Sequence, residues 1–254
     1  MVALPILIAF ILKSGFFPFF CLIFALTAVG LLEFYRMAIP ERKNEGLFAA
    51  LAGSMLLPVL VFDFLPFSLG LTLLVLLFTL LSLVKIKDIK QSAAETGLIF
   101  LGFLYLPLLM SYLVLLRNMT HGVEWIFLLL IIVMSGDTGA FYVGSSLGKR
   151  KLYPIVSPNK SVEGMIGGLA GSIVGALLAC ATFFPELTPA KAVVAAILVG
   201  LVGQLGDLFE SLLKRSFAVK DSGNLFPGHG GMLDRLDSVL FAAPTLYLFA
   251  RYLF

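Results

Sequence analysis

Long apolar stretches, separated by short charged or turn-forming connections, leave this chain one solvent in which it can fold. About nine can be counted, at 2–12, 16–38, 46–62, 67–84, 96–116, 123–143, 164–184, 190–213 and 236–254, most of them near the ~20 residues a helix needs to cross a bilayer. None alternates with period two, so a bundle of spanning helices is expected and a lipid-facing barrel is not. With 60% hydrophobic and 13% charged residues over 254 positions, a soluble domain is excluded. The expected fold is therefore an all-α, polytopic integral membrane helix bundle of about nine transmembrane helices. It divides into an N-terminal part, 1–122, with about five helices, and a C-terminal part, 123–254, with about four helices and cytoplasmic loops at 144–163 and 214–235.

The first stretch is short for a span and lacks the small-residue cleavage site of a removable signal peptide, so a short or tilted first helix is expected. Cys21 and Cys180 both lie in apolar runs, which argues against a disulfide framework or a cysteine metal site. The net charge of +3 is too small and too scattered for a nucleic-acid surface. Its placement is more informative. Arg36, Arg42 and Lys43, then Lys85, Lys87 and Lys90, then Lys149, Arg150, Lys151 and Lys160, then Lys214, Arg215, Lys220 and Arg235 fall in alternate connections. Only Lys13, Arg117, Lys191 and Arg251 fall on the other side, so the positive-inside rule puts the N-terminus and the four basic connections in the cytoplasm.

The connections around Arg42 and Lys87 carry ordinary flanking charge. The other two differ. In 134–168, Asp137 sits inside an apolar helix, where an ionisable side chain marks function unless it pairs internally or reaches the helix end. Ser161 can cap the next helix with Glu163 in its first turn, and Asn159 and Lys160 can present donors to a phosphate or base at the same N-terminus. The segment GSSLGKR at 144–150 is not a P-loop, because it is one residue short between its glycines and has Arg where a magnesium-binding Ser or Thr belongs. Gly164, Gly168, Gly171 and Gly175 suit close helix packing, within the chain or in a homodimer.

Along the helix at 190–213, Gly200, Gly203, Asp207, Glu210, Ser211 and Lys214 recur every three or four residues and form one polar stripe. Asp234 and Asp237, three apart, share a face at the start of the last helix, where either could also be a cap. Carboxylates from two helices suit a hard cation that keeps positions open for substrate phosphates, and Mg2+, with a second cation possible, is the natural choice. Asp207, Asp234 and Asp237 are the expected ligands. Asp221 is a further ligand or the partner of a neighbouring base. Lys214, Arg215, Lys220 and Arg235 can neutralise several phosphates, while Gly228, Gly230 and Gly231 let backbone amides approach them.

These residues carry a resemblance. The run Ser211, Lys214, Arg215, Lys220, Asp221, Gly223, Phe226, Pro227, His229, Gly230, Gly231, Asp234, Arg235 and Asp237 resembles the long, specific defining motif of phosphatidate cytidylyltransferases, also called CDP-diacylglycerol synthases. GDLFES at 206–211, SGDTGAFYVG at 135–144 and SPNKSVEG at 157–164 resemble further segments of that family. The resemblance implies transfer of a cytidylyl group from CTP to phosphatidic acid on the cytoplasmic face of a bacterial inner membrane, with release of pyrophosphate and with Mg2+. Arg215, Lys220 and Arg235 would then hold phosphates, and Asp137, Asn159 and Lys160 would form the second half of the nucleotide site, with Ser211, Gly230 and Gly231 also against substrate. His229 could donate to a phosphate, protonate the leaving pyrophosphate, or only shape its turn. A CTP-dependent lipid kinase, a membrane transporter and a CDP-alcohol phosphotransferase are the alternatives.

Overall fold

The computed structural model describes residues 3–62, 66–84, 89–226, 228 and 230–254. Its helices are α1 (Ala3–Lys13), α2 (Phe16–Ala38), α3 (Lys43–Ser54), α4 (Leu56–Phe62), α5 (Phe67–Val84), α6 (Ile89–Arg117), α7 (Gly122–Leu147), α8 (Val162–Thr182), α9 (Pro189–Ser216) and α10 (Leu233–Tyr252). Among the described residues six helical stretches are long and apolar enough to cross a membrane: 16–38, 43–62, 92–117, 122–147, 162–182 and 189–216. The chain is an all-α membrane helix bundle with one small addition.

That addition is a hairpin in the third basic connection, where the sequence reading expected loop. Strand β1 (Lys151–Tyr153) pairs antiparallel with β2 (Ser157–Ser161). Its turn closes through Val156 N donating to the Tyr153 carbonyl at 3.2 Å, with Pro154 presetting the φ of the second turn position. Strands this short, one carrying Pro158, leave little periodic signal. A second difference is the break between α3 and α4, in a stretch expected to be one helix. Pro58 has no N–H to give the Ser54 carbonyl, and the chain turns at Met55 just before it.

The chain groups into two compact units. The first comprises 1–13, 115–220 and 235–254, and the second 14–114 and 221–234.

In the first unit α7 runs along α8, and α8 along α9. The seam between α7 and α8 is backbone against backbone. A Cβ on Gly139 would lie 2.5 Å from the Gly167 carbonyl oxygen and 3.3 Å from the Gly171 Cα, a contact only glycine permits. The glycines of α8 thus pack within the chain. Gly206 does the same for α9 against α10, where a Cβ would lie 2.7 Å from the Asp237 carbonyl oxygen. Toward the start of α7, buried Trp125 meets Phe184 and Phe254 edge to face at 4.7 and 4.9 Å, and Lys191 Nζ donates to the Phe254 carbonyl at 2.7 Å. These contacts bring the C-terminal residues onto the first turn of α7.

In the second unit α2 packs on α3. Tyr35 Oη, buried in α2, donates to the Ile99 carbonyl of α6 at 2.8 Å, and Phe78 of α5 stacks on Phe103 of α6 at 5.5 Å. Arg42 is not the ordinary flanking charge its sequence setting suggests. It is 6% exposed and pairs with Glu45 and, at 2.5 Å, with Glu95. Burial alone disfavours its charge, but hydrogen bonds and the two negative charges outweigh that and raise its pKa above that of free arginine.

Candidate functional site

Asp137 lies in α7, ten residues before the helix ends at Leu147, and on the stretch that packs against α8. With Gly136, Ser172, Gly200, Gly203, Gln204 and Ser238 it lines a cavity of about 10 Å³ where α7, α8, α9 and α10 meet, room for about one water. Two further carboxylates belong to the same neighbourhood. Asp137, Asp207 of α9 and Asp237 of α10 are near enough to repel one another, and Lys160 and Lys214 are near enough to offset part of that charge. Lys160, on β2, reaches Asp207 Oδ2 at 2.6 Å. Lys214 reaches Glu210 at 3.2 Å, one turn earlier on α9, where Glu210 is fully buried.

The hairpin is why Lys160 arrives there. Ser161 Oγ accepts from Gly164 N at 3.0 Å, the cap the sequence suggested, and so sets the start of α8. Glu163, in the first turn, accepts from the amides of Lys149 and Arg150 at 3.0 and 3.1 Å, tying the start of the hairpin to the start of the helix. Asn159, in β2, is exposed. The GSSLGKR segment is the end of α7 and its exit, with Gly148 N donating to the Gly144 carbonyl at 3.1 Å, and forms no phosphate loop after a strand.

Arg215, Lys220 and Arg235 are exposed, while Ser211 is half-buried. Arg215 donates to the Val219 carbonyl at 3.3 Å across the end of α9. There Val219 N bonds the Lys214 carbonyl and Ala218 N the Arg215 carbonyl, while Ala218 holds a φ of 56°. This is a left-handed helix cap built on alanine instead of the usual glycine.

The remaining expected residues belong to the second unit, in 221–234. Asp221 is exposed. Asp234 Oδ2 accepts three hydrogen bonds of 2.8 Å, from Ser222 N, Ser222 Oγ and Gly231 N. Gly230, at φ 78°, would bring a Cβ to 2.5 Å from the same oxygen. The structure therefore gives Asp234 a definite local role in shaping this loop. His229 lies outside the described residues, as do Lys85 and Lys87 of the orientation argument.

One residue escaped the sequence reading. Glu33 of α2 is 5% exposed and accepts from Met232 N and Leu233 N at 2.9 Å and from Ser222 Oγ at 3.1 Å. The signal that could have found it is the one used for Asp137, an acid inside an apolar helix.

Mg2+ is the ion the expected carboxylates would suit. Among the described residues, no three His, Cys, Asp or Glu side chains already lie close enough to enclose one ion. The chemistry nevertheless fits, since Asp137, Asp207 and Asp237 offer hard oxygen ligands and outnumber the two lysines that offset them, which leaves negative charge for a cation to meet.

Helices long and apolar enough to span a membrane thus bring carboxylates and ammonium groups to one place in the first unit. The chain belongs to the cytidylyltransferase family, which it matches over residues 1–253. It is 37% identical over 247 residues to a phosphatidate cytidylyltransferase of Bacillus subtilis (strain 168), covering 95% of this chain and 92% of the relative. Proteins of the same name from Staphylococcus saprophyticus and Staphylococcus aureus (strain COL) are each 36% identical, over 69% of this chain and 66% of theirs.

Proposed function

We propose that this protein transfers the cytidylyl group of CTP to phosphatidic acid, giving CDP-diacylglycerol and pyrophosphate for phospholipid synthesis. Family membership supports the reaction, and the observation that carries the site is the meeting of Asp137, Asp207 and Asp237 with Lys160 and Lys214 in the first unit.

The phosphate monoester of phosphatidic acid is already largely ionised near neutral pH, so its oxygen attacks the CTP α-phosphorus without a strong general base. A new P–O bond forms as the bond from that phosphorus to the bridging oxygen of pyrophosphate breaks, and pyrophosphate leaves with the electron pair. The protein's part is alignment and charge neutralisation. Asp207 and Asp237, with Asp137, would hold Mg2+, which when bound supplies charge neutralisation at the phosphate oxygens. Asp234, three residues before Asp237 in the sequence, is a further proposed ligand by its place in the motif. Lys160 and Lys214 present ammonium groups beside these acids, and exposed Arg215, Lys220 and Arg235 supply positive charge for the phosphates of two anionic substrates. Asn159 and Ser211 would contact nucleotide. Nine spanning helices, with the N-terminus and the basic connections in the cytoplasm of a bacterial cell, complete the reading.

The test uses purified protein, phosphatidic acid, Mg2+ and CTP labelled at the α-phosphate. The label is expected in lipid. Its retention in soluble CDP, with unlabelled lipid, would instead identify a lipid kinase and refute the proposal.

A further inference from the structure

Glu33 is an ionisable side chain buried on a membrane helix that the signature motif does not include, and its environment assigns it a task. Helix α10 begins at Leu233, so the amides around its start belong to the donors that a helix leaves without internal acceptors. Three consecutive amides there point at carboxylates. Gly231 N donates to Asp234, while Met232 N and Leu233 N donate to the two oxygens of Glu33. The helix dipole favours a negative charge at this place. Ser222 Oγ lies 3.1 Å from Glu33 and 2.8 Å from Asp234, so its one proton serves one carboxylate at a time.

The glycines of the loop fit around Glu33. A Cβ on Gly223 would lie 2.7 Å from Glu33 Oε1, and one on Gly231 would collide with Glu33 Oε2 and Ser222 Oγ. Two of the motif's glycines are therefore required by an acid far earlier in the chain, on α2.

We infer that Glu33 is a positioning residue for cytidylyl transfer. From α2 it holds the 221–234 loop and fixes where α10 starts, and hence the first turn that carries Asp234. It touches no substrate. The inference rests on the reading of this segment as catalytic, and its test separates the two.

In Glu33→Gln the side-chain volume is kept, but an NH2 replaces one acceptor and faces a backbone N–H. Hydrogen exchange is measured in lipid nanodiscs without nucleotide. The amides of Met232 and Leu233 are expected to exchange about tenfold faster, with α2 and α6 unchanged. In the labelled-CTP assay kcat is expected to fall at least about tenfold, with the KM for CTP changed less than about threefold, and Glu33→Asp should recover part of the loss. Gly231→Ala should reproduce the exchange change by wedging the loop from Glu33, and the double variant should be no worse than the poorer single one. Unchanged exchange in Glu33→Gln, or in Gly231→Ala if the former does not fold, overturns the inference, as do fully additive effects. A parent protein that transfers no cytidylyl group, with exchange still faster in Glu33→Gln, would leave the loop anchor standing and remove the functional reading.

Discussion

Replacing Gly139 with alanine adds one methyl group to the α7–α8 seam, and the structure sets the size of the effect. The new Cβ would stand 2.5 Å from the Gly167 carbonyl oxygen, 3.2 Å from its carbonyl carbon and 3.3 Å from the Gly171 Cα. Carbon atoms in good contact sit about 3.5–4.0 Å apart, so the helices must separate by roughly 0.5–1 Å. All three neighbours are backbone, so no rotamer change relieves the clash. Overpacking of this kind costs about 1–3 kcal/mol, or roughly 2–12 °C in Tm for a unit of this size. Asp137 is on α7 two residues before Gly139, and the hairpin bearing Lys160 leads directly into α8. A misplacement near 1 Å between them predicts up to about a hundredfold loss in kcat. The assay pairs thermal unfolding in detergent with cytidylyl transfer. Gly97→Ala is the control, because no atom lies within 4 Å of its added Cβ on α6 and helix propensity alone predicts a gain of up to about 1 kcal/mol. A Gly139→Ala protein as stable and as active as the parent would refute the backbone-contact argument.

Three more outcomes are expected. Lys160→Gln removes the partner of Asp207, and since both side chains are about a third exposed the stability cost should stay near or below about 1 kcal/mol; turnover should nevertheless fall at least tenfold and the KM for CTP rise, and an unchanged KM would take Lys160 out of the nucleotide site. Asp207→Asn should raise the Mg2+ concentration for half-maximal activity by about tenfold or more, with calorimetry showing weaker cation binding to the substrate-free protein; parental Mg2+ dependence would exclude Asp207 as a ligand. Ala218→Gly relieves a left-handed alanine and should add about 0.5–1 kcal/mol, read as a higher Tm.

The helices were legible because bilayer physics writes them into composition. Bounds of 16–38 and 67–84 read from apolar runs coincide with α2 and α5. The stripe on α9 was legible too, since Asp207, Glu210 and Lys214 follow helical spacing, and Glu210 with Lys214 forms an ion pair. What remained hidden depends on contacts distant in sequence. Nothing around Lys160 announces a hairpin that delivers it to Asp207. Likewise, nothing in the turn's spelling shows that Gly230 and Gly231 lie hard against Asp234, Ser222 and Glu33. Spacing identifies residues that share a face, but it does not identify the partner that face meets.

The glycine seam also bears on how a lipid can arrive. An acyl chain is about as thick as a methylene contact on either side, and the space between α7 and α8 at Gly139 does not admit even one Cβ. A diacyl substrate moving laterally out of the bilayer is therefore barred from that gap. Traffic of greasy tails toward the carboxylates must use another approach, and the seam acts as a fence as well as a joint.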